Sequence, residues 1–157
     1  MLPEMTKLVN AVSGCHANAF GTGDYVSLKN ATGVYIIVQH VGNGATDLDL
    51  TVNEATNVAA GSAAAITTGA EFPIWINLDC TATDTLVRQT DGITYHIAPT
   101  AVPTMVVFYI PAAKLSPGFD CVAVVGTGGN AANFASAIYV LDGIRYAQAT
   151  PPSAIID

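Results

Sequence analysis

The sequence predicts an all-β protein: one domain built as a β-sandwich, jelly-roll-like fold or small barrel of about eight to ten short strands. Three observations predict it. Runs of β-branched and aromatic residues recur, several with a period of two. Turn-forming Gly, Pro, Asn and Asp separate them at intervals of about 8 to 12 residues. Hardly any stretch carries a helical period. At 157 residues the chain is the size of one domain and long enough to bury roughly two thirds of its unfolded surface.

The elements follow in chain order. Residues 1–23 show no clear period and end in the Gly21-Thr22-Gly23 breaker, so they are expected to form an N-terminal arm outside a sandwich domain at 24–148. Asp24–Lys29 and Gly33–Val41 read as strands, and Asn43-Gly44 after them is a hairpin signal. Asp47–Ala55 alternates most cleanly, with Leu48, Leu50 and Val52 on one face and Asp47, Asp49, Thr51 and Asn53 on the other. Residues 55–70 are small and unpatterned, a long loop with room for a helical turn at Ala63–Ile66. Phe72–Leu78, Leu86–Gln89 and Ile93–Ala98 are further strands, the last following an Asp91-Gly92 turn.

The organising stretch is 102–125. Val106, Val107, Phe108, Tyr109 and Ile110 form a buried strand stopped by Pro111, which has no backbone donor. Ser116-Pro117-Gly118 turns the chain back toward a second run, Cys121–Val125, and the two are expected to pair antiparallel. Ser136–Leu141 and Ile144–Ala147 close the domain around Asp142-Gly143. A tail at 149–157 holds Pro151-Pro152 and is expected to be loose or docked on a partner.

Composition narrows the function. Charged residues are only 11% of the chain, well below the roughly 25% usual in soluble proteins. The exterior must therefore be largely Thr, Ser, Asn, Ala and Gly, a surface suited to lying against other protein. The net charge is −7 and only five lysines and arginines are present, too few and too scattered to neutralise a run of phosphates, so no nucleic acid is expected as partner. Apolar runs fall far short of the ~20 residues that span a bilayer, so no membrane partner is expected either. Val12-Ser13-Gly14-Cys15 resembles a lipobox, but the apolar stretch before it is short and broken by Asn10. Cys15, Cys80 and Cys121 are odd in number and lack CxxC spacing, which fits reduced thiols of a protein made in a cytosol.

No motif carries chemistry. Gly126-x-Gly128-x-x-Ala131 after a strand has the outline of a dinucleotide-binding turn, yet no crossover helix is predicted after it, so it reads as a glycine-rich loop and no cofactor is expected. Asp47, Asp49 and Glu54 are expected to cluster on the wet strand face, where solubilising charge is a simpler account than a cation site. Asp79, Asp84 and Asp91 match no calcium-loop spacing. His16, His40 and His96 stand in unrelated contexts and Cys15-His16 is not a metal-ligand spacing, so no metal site and no enzyme are expected.

With the strands placed, the chain resembles a family of small head, decoration or structural proteins of tailed bacteriophages. The resemblance lies in GDYVSLKNATGVYIIVQHVG from Gly23, in TVNEATNVAAG from Thr51, in AAKLSPGFDCVAVV from Ala112 and in AIYVLDGIRYA from Ala137. It implies a non-enzymatic virion protein, made in the host bacterial cytoplasm, that decorates or cements the capsid exterior. Its implied partner is the lattice of the major capsid protein, bound as a homo-oligomer, a homotrimer being the expected form. Leu8, Val9, Val12 and Phe20 in the terminal segment are the candidate subunit or capsid contacts. Two alternatives are a tail or connector component and a carbohydrate-binding jelly roll, the latter requiring several of Tyr35, Trp75, Tyr95 and Tyr139 on one open face.

Overall fold

Leu48, Leu50 and Val52 are fully buried and their odd-numbered neighbours are not, so the alternation at 47–55 lays down a strand with one core face. The computed structural model describes residues 6–42, 44–67, 69–144 and 153–155. Its strands are β1 (Lys7–His16), β2 (Gly21–Thr22), β3 (Val26–Ser27), β4 (Gly33–Gly42), β5 (Leu48–Ala55) and β6 (Ala64–Ala65). There follow β7 (Ile74–Asn77), β8 (Val87–Arg88), β9 (Thr94–Ile97), β10 (Thr100–Pro111), β11 (Cys121–Gly128) and β12 (Phe134–Asp142). Among the described residues these are twelve, above the predicted eight to ten, because four are two-residue fragments and one lies in the terminal segment.

The protein is an all-β sandwich. One sheet has the order β1-β12-β4-β10-β7-β8; the other has β2-β11-β5-β6, with β3 also on β11 and β9 also on β5. The antiparallel pairs are nested: β1 with β12, β2 and β3 with β11, β4 with β10, β5 with β9. A single long ribbon is thus rolled up so that β12 also meets β4 and β11 also meets β5, which is the winding of a jelly roll. Between the sheets lie Val34, Ile36 and Val38 of β4, Val106, Phe108 and Ile110 of β10, and Val122 and Val124 of β11, all fully buried. Each such side chain contributes roughly 1.5–3 kcal/mol by leaving water.

This winding corrects several expectations. Residues 7–16 are not an arm: β1 is an edge strand whose Val9 and Ala11 enter the core, its period hidden by two bulges between Asn10 and Cys15. The runs at 104–110 and 121–125 do not pair with each other. The connector between them carries the chain from one sheet to the other, because each run's apolar inner face needs the opposite sheet to cover it. Likewise the Asn43-Gly44 signal, of which only Gly44 is described, joins β4 and β5 across the sandwich instead of making a hairpin. Ala64–Ala65 is a strand fragment on β5, not a helical turn. Most of the predicted strand at 144–147 lies outside the described residues, as does much of the tail. Ala154 is buried on this same chain, its carbonyl accepting from Ser27 N at 2.7 Å.

One contact ties the two sheets. The Tyr139 hydroxyl from β12 accepts a 2.9 Å hydrogen bond from Val124 N on β11, between β2 and β3, where the regular pairing breaks and Gly23 N donates to Val124 O at 2.8 Å. Burial pushes the Tyr139 phenol far above its usual range, so it stays protonated. Gly23 makes room for it, since a Cβ there would sit 2.9 Å from the hydroxyl oxygen.

Candidate functional site

The strands of the first sheet are apolar on both faces. On β4 the outward residues Tyr35 and Ile37 alternate with core residues, and on β10 the same holds for Met105, Val107 and Tyr109. A continuous apolar run is normal for a strand covered on both sides. In a two-layer sandwich only one side of this sheet has a covering layer. The outward side of β12 therefore shows Phe134 and Ile138 to solvent, 51% and 44% exposed, beside Val41 of β4 and Leu8 of β1. Lys, Arg, Asp and Glu are absent from 35–41, 103–109 and 134–140. Asp142, at one end of the face, accepts a hydrogen bond from the Tyr109 hydroxyl at 3.2 Å.

At the other end of the face lies an open cleft of about 270 Å³ floored by Gln39–Val41, Pro103–Met105 and Phe134–Ser136, with Cys80 and Gly14 on its rim. No carboxylate lines it. Beside it the His16 ring leans on that of Phe134, with centroids 4.7 Å apart. A second groove, of about 450 Å³, runs along the β7–β8 edge between Ile76, Leu78, Asp79, Thr83, Thr85 and Val87. Leu78, Leu86 and Val87 are exposed there. The 78–85 loop beside it is held by Asp79, whose carboxylate accepts from Thr81 N, Thr81 Oγ1 and Ala82 N; these bonds hold its pKa low.

The outer face of the second sheet is different in kind. Near one end, Tyr25, Ala55, Cys121 and Ala123 form a small apolar cluster that the chain covers itself with Val58. The loop carrying Val58 is closed by Gly61 O, which accepts from Thr56 N and Oγ1, and by Gly61 N donating to Asn57 Oδ1. At the other end the face is ionic: His96 of β9 sits between Asp49 at 2.6 Å from Nδ1 and Asp47 at 2.8 Å from Nε2. The hydrogen bond to Asp49 is the largest cause that raises the His96 pKa above its usual value, with the Asp47 charge adding to it. With both ring nitrogens engaged, the imidazole offers no lone pair to a metal, and no group of three ligands fit to hold one occurs among the described residues.

The singled-out residues are dispersed. Val9 and Phe20 are spent in the core, Val12 packs against it, and Leu8 alone of the four candidate contacts is exposed. Glu54 is not on the wet face with Asp47 and Asp49: it has the parity of Leu48, Leu50 and Val52, is buried, and accepts from Ser116 N at 2.8 Å. Gly126 to Ala131 is strand and loop leading into β12, with Gly128 and Gly129 at positive φ and no helix after it. His40 points inward, 2% exposed, neither ring nitrogen with a protein partner, and burial lowers its pKa. His16, His40 and His96 share no site with a carboxylate beyond the His96 clamp. Of the three cysteines Cys121 is buried, Cys15 half-buried and Cys80 exposed.

Of the four rings named for a carbohydrate site, Tyr139 is fully buried and Tyr95 packs against the core. Tyr35 and Trp75 share the outward face of the first sheet, but Tyr35 leans on Tyr109 at 4.6 Å and Trp75 lies under the Arg88 guanidinium at 4.9 Å. What the sequence reading missed is the outward apolar face. Its signal was the uninterrupted apolar character of 34–38 and 105–110. Compared with known proteins, the chain matches no protein-family model, no curated protein and no solved structure.

Proposed function

We propose that this protein is a non-enzymatic structural component of a tailed-bacteriophage virion. In this reading it decorates or cements the outside of the head by binding the lattice of the major capsid protein as a homo-oligomer, a homotrimer being the expected form. The observation that carries the reading is the apolar outward face of β4, β10 and β12, free of fixed charge over 35–41, 103–109 and 134–140 and left without a covering layer. A surface of that kind excludes water when another protein lies on it, and many weak copies add up on a repeating lattice. The acidic balance of −7 favours a position away from packaged DNA.

The test is a titration of purified protein onto expanded empty shells assembled from the major capsid protein of the same genome. Saturation at a whole number of copies per capsomer supports decoration. Absence of binding at micromolar protein removes it.

A further inference from the structure

The end of the first sheet's outward face that lies away from the cleft is built around one acid. Tyr35 of β4 and Tyr109 of β10 stand opposite each other in register, both outward, with ring centroids 4.6 Å apart. Two residues further along, Asp142 of β12, Gly33 of β4 and Pro111 of β10 lie side by side. Gly33 has no side chain, and Tyr109 uses the gap: a Cβ at Gly33 would sit 3.0 Å from the Tyr109 hydroxyl. The phenol therefore crosses β4 and donates to Asp142 Oδ2 at 3.2 Å, two strands from its own. Burial foremost, and then the bond to Asp142, hold the phenol above its usual range, so it remains the donor. Thr32 Oγ1 donates to the Asp142 carbonyl at 3.2 Å and fixes the strand end. Among the described residues Asp142 Oδ1 has no partner.

We propose that Asp142, with the Tyr35–Tyr109 ring pair beside it, is a receptor for one arginine side chain of the surface against which this face docks. This rests on the virion reading for the identity of that surface, the shell, and names the chemistry the shell must bring. Charge selects the occupant. The face holds no fixed charge over 35–41, 103–109 and 134–140, so Asp142 is the acid at its margin. A partner seated flat on β4, β10 and β12 takes this half-buried carboxylate further from water, and a carboxylate buried without a counter-charge is costly. The Tyr109 bond supplies a donor and no charge, so the compensating cation comes from the partner. Geometry favours arginine over lysine. A planar guanidinium lies along the tyrosine rings while its N–H fork reaches Oδ1, whereas an ammonium is a point charge with no plane to stack.

Shell titration tests the receptor. Asp142→Asn keeps an acceptor for Tyr109 and removes the charge; it is expected to bind shells about tenfold or more weakly than the wild type, with its melt unchanged. Asp49→Asn takes the same charge from the other sheet and is expected to bind as the wild type does. Equal affinities of the wild type and Asp142→Asn, or equal losses from both variants, overturn the proposal and leave the virion reading standing. If the wild type does not bind shells, the virion reading falls. In that case, or if Asp142→Asn loses its cooperative melt, NMR of the Tyr35 and Tyr109 rings in the free wild type decides the receptor. The probe is N-acetyl-arginine amide at up to ~100 mM, the range in which a single exposed ion pair binds, with its neutral citrulline analogue as control. Saturating shifts with arginine and none with citrulline uphold the site. Matching responses to the two, or an arginine response that emerges only in an Arg145→Gln background because the chain's own arginine fills the site, overturn it.

Discussion

The two outer faces of this sandwich solve the same problem in opposite ways. The second sheet covers its apolar end with its own 56–62 loop and fills the rest with Asp49, Thr51, Asn53, Thr94 and His96. The first sheet leaves Phe134, Ile138, Val41 and Leu8 uncovered on strands that are apolar on both sides. Both faces come from one ribbon, so the difference is not imposed by the winding. It lies in which residues occupy the outward parity. The lesson is that an apolar outward face on a strand does not mean a core layer within the same chain.

The largest effect that sharpens this contrast is a charge placed on one face or the other. Ile138→Asp is expected to weaken shell binding by more than tenfold, as a buried unpaired charge does at an interface. Thr51→Asp, outward on β5, is expected to leave shell binding unchanged, and equal losses from the two would break the contrast.

Next is the tie between the sheets. Tyr139→Phe strands Val124 N in the core and is expected to cost about 1–3 kcal/mol. At about 2–4 °C per kcal/mol for a chain of this size, a melt detects it. Both faces are predicted to lose order together, since they share one core.

The two unusual histidines bend stability in opposite directions with pH. His40 has a lowered folded pKa, so the unfolded chain binds its proton first, and this site destabilises the fold as pH drops below about 6.5 and through the folded value. His40→Leu is expected to raise stability by about 1 kcal/mol, because it removes two unpaired buried nitrogens, and to flatten the acid side of the melting curve. His96 has a raised folded pKa, so its contribution is complete below about 6.5 and disappears as pH rises through the folded value. NMR titration should show a His96 midpoint above 6.5 that moves back toward it in high salt, since the clamp is solvent-exposed. A midpoint at or below 6.5 would show that the clamp does not form.

The smallest effect concerns the loop that seals the second sheet. Ala60 and Ser62 are held at positive φ without being glycine. Ala60→Gly relieves that strain and is expected to stabilise by about 0.5 kcal/mol, part of the gain being lost to the freer unfolded chain.

Much of the fold was legible. The alternation at 47–55 placed Leu48, Leu50 and Val52 in the core, and the strands around 33–41, 104–110 and 136–141 stand where β propensity put them. Pairing was less legible, because a turn signal such as Ser116-Pro117-Gly118 reverses the chain without saying whether the next strand joins the same sheet. The terminal strand was hidden by its bulges, which break the period of two. Glu54 was misplaced although the pleat fixes it: it is an even number of residues from Leu48 and an odd number from Asp47. The candidate face was the least legible feature. A run such as Val34–Val38 reads as buried strand whether its outward side meets a layer of the same chain or nothing.

The central claim is that the outward face of the first sheet is the working surface. Hydroxyl-radical footprinting of the protein bound to shells, read residue by residue against the free protein, tests it most directly. The account predicts strong protection of Phe134 and Met105 on shell binding, with His96 as reactive as in the free protein. Protection of His96 while Phe134 and Met105 stay as reactive as in the free protein would contradict it.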